Sequence, residues 1–242
     1  MNPVPETYLG VWQRTLLTTT AGKRDTSTRV YWLQTSRLFA DLRIPLPAPA
    51  SATERAAQAG FSGVTEIVGD RCQWHRLIDF RPATGEDDIG LMRFENSEYL
   101  LEDGLDGSYH EVWERLPESV GRNWGSWLRS ADGRQGCLLL AGDCFLFAAG
   151  LPRTAPAGAD LAELAAQDPG WLDFELSFGR HHGGLTPWRI ELSTLPARIG
   201  AALLPAEADP DRPAELLGAA GLARLGAQPP AGGWKVAPDP MS

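Results

Sequence analysis

Apolar and polar residues alternate with a period near two along most of this chain, in short runs rather than long helical stripes. Runs rich in aromatic and β-branched residues fall at positions 8–18, 28–35 and 38–44, and again at 61–68, 71–80, 89–94, 98–102 and 109–116. Each is bounded by Gly, Asp, Asn or Pro, the residues that end strands and form turns. The segment Pro45-Leu-Pro-Ala-Pro49 stops the third run, and Ser51-Ala-Thr-Glu54 has the capping-box spacing that starts a short helix to about residue 59. Closely spaced short strands predict an antiparallel barrel or sandwich.

The second half repeats these landmarks in order. Val11-Trp-Gln-Arg14 is echoed by Ser126-Trp-Leu-Arg129, and the strand stop Ile44-Pro45 by Leu151-Pro152. A helix over 160–167 precedes Gly170-Trp171 as the first helix precedes Gly60-Phe61. Trp74, Ile89-Gly90, Leu100-Leu101 and Trp113 find partners in Trp188, Ile199-Gly200, Leu216-Leu217 and Trp234. The pattern predicts a duplicated unit of about 115 residues, with a first barrel over 1–118 and a divergent second over 119–242. From Pro196 to Ser242, 26 of 47 residues are Ala, Gly or Pro, so the end of the chain reads either as a flexible tail or as a degraded repeat.

Composition narrows the class. Hydrophobic residues at 43% and charged residues at 22% exclude wholesale disorder. No apolar run is long enough for a membrane helix, and the opening MNPVPETYLG lacks the basic and apolar segments of a signal peptide, so a cytoplasmic protein is expected. A net charge of −9 argues against nucleic-acid partners, whose affinity depends on Lys and Arg neutralising phosphates. Cys72, Cys137 and Cys144 are sparse and odd in number, which predicts free thiols. A hairpin turning at Ala141-Gly-Asp143 would set Cys144 opposite residues 139–141 rather than opposite Cys137.

Gly10-Val-Trp12 near the start of the first strand resembles the Gly-x-Trp opening of lipocalin-like (calycin) barrels. The stretch Val30-Tyr-Trp-Leu-Gln-Thr35 with Phe39-Ala-Asp-Leu-Arg-Ile-Pro45 resembles the fungal casein-kinase-interacting family and its bacterial relatives, built of two related barrels. Trp74-His-Arg-Leu-Ile-Asp-Phe80 and Glu111-Val-Trp-Glu-Arg115 fit the same pattern. The resemblance implies an all-β fold of two tandem lipocalin-like antiparallel barrels with short helices, and no catalytic residue carries over from it. It also implies that Trp12 closes one barrel end beneath an arginine, with Arg14, Arg115 and Arg198 as candidates.

The chain contains no phosphate loop, GxSxG, HExxH or dinucleotide-binding glycine pattern, so no cofactor is expected. His181-His182 lies in Gly179-Arg-His-His-Gly-Gly184, which reads as a solvated hairpin loop without further metal ligands. His75 and His110 are lone strand histidines, more simply read as barrel residues than as haem ligands. The tryptophans that recur in both halves belong to the shared fold; Trp32, which has no counterpart, is the best candidate for a ligand wall.

The halves differ in their charges. Asp41, Arg43, His75, Asp79, Glu111 and Arg115 of the first half fall against Ala148, Gly150, Arg189, Ser193, about Gly232, and Val236 of the second. Strand alternation sets Phe39, Asp41 and Arg43 on one face, Trp74 and Arg76 on one face, and Tyr109, Glu111, Trp113 and Arg115 on another, with His75 and Asp79 opposite Trp74. The leading expectation is therefore a binding module. It would hold a small, partly apolar ligand in the first barrel against Trp32, Phe39, Asp41, Arg43, Arg76, Tyr109 and Glu111, with Arg43 or Arg76 orienting an anionic group. An enzyme performing proton transfer in the same cavity is the alternative, with Glu111 or Asp41 as base and His75, Tyr109 or Arg43 stabilising charge. A scaffold with filled barrels and a protein partner is the third.

Overall fold

The computed structural model describes residues 2–182 and 186–241. The first unit is built from β1 (Gly10–Thr19), β2 (Arg24–Asp25), β3 (Arg29–Gln34), β4 (Leu38–Ile44), β5 (Ala59–Val68), β6 (Arg71–Asp79), β7 (Asp88–Phe94), β8 (Tyr99–Gly104) and β9 (Tyr109–Arg115). These nine form one antiparallel sheet in which β2 only extends β1; the other eight close on themselves because β1 pairs with both β3 and β9. Helix α1 (Ala52–Ala56) bridges β4 and β5 and carries the expected capping box, with Ser51 accepting from the Glu54 amide and Glu54 accepting from the Ser51 amide.

Two bulges set which side chains enter the barrel. Trp12 and Arg14 point inward on β1; the register then shifts between Arg14 and Leu16, so that Leu17 and Thr19 point inward beyond it. The β5–β6 register shifts between Ser62 and Gly63, leaving Leu77 as the extra residue between Arg76, which faces the cavity, and Ile78, which faces outward. Gly63 is required there, because a Cβ would lie 1.9 Å from the His75 carbonyl oxygen.

The second unit contains β10 (Asn123–Ser130), β11 (Gln135–Ala141), β12 (Cys144–Ala149), β13 (Glu175–Arg180), β14 (Arg189–Ser193) and β15 (Trp234–Ala237), with α2 (Leu161–Gln167) between β12 and β13. They form a six-stranded sheet in the order β14-β13-β12-β11-β10-β15, whose end strands do not pair. Duplication is partly evident in the order of elements. Five strands with a capped helix before the fourth occur in both units, and β15 pairs with β10 as β9 pairs with β1. Counterparts of β7 and β8 are absent among the described residues. That segment, 199–233, instead runs as turns and the short helices α3 (Pro213–Leu216) and α4 (Ala219–Leu222), and it buries Leu203, Leu204, Leu216, Leu222 and Leu225 against the sheet.

The two units share a core. The outer faces of β3, β4 and β5 (Leu33, Leu38, Ala40, Leu42, Val64) pack against Leu139, Leu146, Leu176 and Phe178 of the second sheet, which makes β4 apolar on its outer face and nearly fully buried. Trp127 belongs to this shared core, whereas Trp12 points into the first barrel, so the two do not occupy equivalent faces as their sequence match suggested. Trp74 and Trp113 do face the barrel interior, and Trp188 and Trp234 lie beneath the C-terminal segment on the far face of the second sheet.

All three cysteines are free and buried, and Cys144 pairs with Ala141 across the hairpin, within the expected range. His181 follows β13 directly and is buried, not solvated: it stacks near Trp188 and bonds to the Gly142 carbonyl at 2.9 Å. Burial pushes its pKa below the ordinary histidine value. Residues 183–184 of the predicted His-His loop lie outside the described residues. No helix of the described residues is long and apolar enough to cross a membrane.

Candidate functional site

One end of the first barrel is sealed by Trp12. Its ring is fully buried, its indole Nε1–H donates to the Tyr8 carbonyl at 2.8 Å, and the Arg115 guanidinium lies 4.5 Å above it. Of the three candidate arginines, Arg115 is the one that covers Trp12; Arg14 turns into the barrel and Arg198 pairs with Glu175. Arg115 Nη2 also donates to the Thr7 carbonyl, tying the strand end to the 3-10 turn Glu6–Tyr8.

Above this floor is a cavity of about 340 Å³. Its apolar wall consists of Trp32, Trp74, Trp113, Phe61 and Leu17. Trp32 is central: it meets Trp74 and Trp113 edge-on at 5.5 and 5.9 Å and is fixed by its Nε1–H to Gln34 Oε1 at 3.1 Å. Gln34 is anchored in turn by Thr65.

The polar lining is a set of pairs. Arg14 binds Glu111 at 2.6 Å and Asp25 at 3.1 Å. Arg43 makes two bonds to Asp41, at 2.7 and 3.2 Å. Arg76 makes two to Asp88, at 2.8 and 2.6 Å, while lying 3.6 Å over the Phe61 ring. Glu102 differs: its oxygens accept from the Tyr109 hydroxyl at 2.8 Å and the Trp113 indole at 3.0 Å, both neutral groups.

Burial, together with the facing carboxylate of Glu111 and in spite of the Tyr109 bond, holds the Glu102 carboxyl well above the usual range. Burial likewise raises the Tyr109 hydroxyl, with Glu102 adding to it. For Arg43 burial acts downward, and the carboxylates of Asp41 and Glu111 more than reverse it. Asp25 stays below the ordinary range because bonds from Thr28 and Ser27 outweigh its burial. Glu102 itself rests against Gly90, where a Cβ would lie 2.8 Å from its Oε1.

Six of the residues singled out from the sequence line this cavity: Trp32, Asp41, Arg43, Arg76, Tyr109 and Glu111. Phe39 points inward but lies behind the lining, against Phe61. His75 falls outside: alternation along β6 turns it away from Trp74 and Arg76, and it pairs with Glu66 at 3.1 Å on the barrel exterior. It therefore cannot serve with Glu111 in this cavity. Asp79, beyond the Leu77 bulge, lies 3.4 Å from Arg76 and accepts from the Arg81 amide at 2.9 Å, outside the cavity lining. The sequence reading missed Asp88 and Glu102 and gave Arg14 a different place. Parity with an inward tryptophan or leucine (Trp12 with Arg14, Leu100 with Glu102) was the signal available for two of them. Among the described residues no group of three His, Cys, Asp or Glu is placed to hold a metal ion.

No protein-family model and no curated protein matches the sequence. Among solved structures, the chain is similar to an uncharacterized protein from Saccharomyces cerevisiae, with a TM-score of 0.54 and 12% identity over 76% of this chain and 84% of that one. A lipocalin-like protein from Bacteroides uniformis also matches, with a TM-score of 0.34 and 9% identity over 46% of this chain and 99% of that one. The first likeness covers more than the first unit contains, so the shared fold extends into the second sheet. The closed eight-stranded up-and-down barrel with its Gly-x-Trp floor makes this a lipocalin-like, all-β protein carrying a second, open sheet.

Proposed function

We propose that the first barrel binds a small, partly apolar molecule. The observation that carries this reading is the cavity itself: about 340 Å³ bounded by three tryptophans on one side and pinned charges on the other. That volume falls within the range of small-molecule sites, as does the mixture of aromatic wall and few oriented polar groups. Stability alone does not account for it, because buried ion pairs are often no better than apolar side chains of similar volume. The second unit is filled by its own C-terminal segment, so the first barrel is the better place for a ligand.

Native mass spectrometry of protein purified from its own host tests this reading. A retained small-molecule mass, lost when Leu17→Trp fills the cavity, is the expected result. Equal retention in both proteins would place the molecule elsewhere and overturn the reading.

One observation favours a second reading, cofactor-independent proton transfer. Glu102, which favours its protonated form, faces Glu111, which is paired with Arg14. Two carboxyl groups in such different settings suit one acid and one base. Deuterium exchange from heavy water into a retained ligand would support this reading, and its absence would leave binding alone.

A further inference from the structure

We propose that the ligand of this cavity is an organic cation, an ammonium group seated beside Glu102 and Glu111 with its apolar arm against Trp32, Trp74 and Trp113. The proposal rests on the first barrel being a ligand site and adds the charge of what it takes.

The partners of the three lining arginines carry the argument. Arg14 already holds Glu111 and Asp25, Arg43 holds Asp41 by two bonds, and Arg76 holds Asp88 by two bonds. An anionic ligand would compete with a carboxylate for its guanidinium, and at Arg14 and Arg43 the carboxylate, Glu111 or Asp41, is itself buried. The sequence had suggested that Arg43 or Arg76 orients an anion; their commitments in the structure point the other way.

Carboxylates outnumber arginines in the lining, four (Asp41, Asp88, Glu102, Glu111) to three (Arg14, Arg43, Arg76). The unmatched one is Glu102, 5% exposed and bonded only to neutral donors. It stands directly across the β8–β9 ladder from Glu111, a like-charge arrangement that is unfavourable when both are ionised. The groups that face it are Tyr109 and Glu111 from β9, Arg43 from β4, Asp88 from β7 and Cys72 from β6. Only one of these is a cation, and it is bound to Asp41. Burial and the facing Glu111 favour the protonated form of Glu102, which lessens this excess of negative charge. A bound cation does the same by replacing that proton, while an anion adds to the excess.

The walls agree with the charge. Indole faces attract cations, most strongly where water is excluded. Three tryptophans, each under a tenth exposed, border the same space as Glu102 and Glu111.

The test is calorimetric titration of the full chain with four probes of similar shape: benzylammonium, benzyltrimethylammonium, benzyl alcohol and benzoate. The two cations should bind at least about tenfold more tightly than the alcohol, and benzoate more weakly still. Binding of benzyltrimethylammonium, whose charge is fixed, should displace the Glu102 proton. Its affinity should then fall by up to about tenfold per pH unit as pH drops below the Glu102 pKa. Glu102→Gln should abolish the preference for cations over benzyl alcohol, and the wild-type pH series tests the same point if that variant does not fold. Benzoate binding as tightly as the cations, or cation binding that ignores pH and Glu102, would overturn the proposal. If the uncharged probe binds as well as the cations and Leu17→Trp blocks it, the site stands and the inference about charge fails. If no probe binds and host-purified protein retains no molecule, both fail.

Discussion

Trp12 and Glu102 sit at opposite ends of what a buried residue can contribute. Trp12 is enclosed, hydrogen-bonded and covered by Arg115, so Trp12→Ala should cost roughly 3–5 kcal/mol in urea denaturation. A loss below about 1 kcal/mol would remove it from the barrel floor. Glu102 is instead a source of pH-dependent strain. Burial holds its folded pKa well above the ordinary glutamate range, so above that range the unfolded chain releases a proton that the folded chain keeps. The stability tied to that proton is complete below the unfolded pKa and declines as pH rises toward the folded one. Glu102→Gln should therefore gain stability over wild type as pH rises above about 5, by up to about 1.4 kcal/mol per unit, until the folded pKa is passed. Parallel pH profiles for the two proteins would show that Glu102 is ionised in the fold.

Strands β1 and β6 show how a single extra residue places a site. Without the β1 bulge, Leu17 and Thr19 would face out; without the bulge at Leu77, Arg76 and Ile78 would fall on the same face. The β6 bulge depends on Gly63, so Gly63→Ala should lower stability by about 3 kcal/mol or more, beyond ordinary overpacking, as its Cβ meets backbone. Gly150→Ala, whose Cβ would find only ordinary contacts, is the control. Equal melting temperatures for the two variants would contradict this account of the bulge. Bulges also explain what the sequence could and could not convey. Alternation alone put Asp41 with Arg43, Tyr109 with Glu111, and His75 opposite Trp74, because each group lies on an uninterrupted stretch. Which end of β1 faces in after Arg14, and that Asp88 follows a loop into the cavity, depend on register, which alternation does not contain. The Trp12–Trp127 match failed for a related reason: the second sheet presents that tryptophan to the shared core, a contact between units that no local pattern records.

At the scale of the molecule, the outer face of β3–β5 is completed only by the second sheet. The chain should therefore unfold in one transition, with circular dichroism and tryptophan fluorescence coinciding, and residues 1–118 alone should expose Leu33, Leu42 and Val64 and aggregate. Two resolved transitions would mean that the shared core contributes little. On the inner side of the same barrel, the cavity is bordered by Trp32, Trp74 and Trp113 and by paired charges. The central claim, that this cavity is the ligand site, is tested most directly by indole ¹H–¹⁵N spectra of the full chain during addition of a small-molecule extract from its own host. The signals of Trp32, Trp74 and Trp113 should shift while those of Trp171, Trp188 and Trp234 stay in place; shifts confined to the latter three, or none at all, would contradict it.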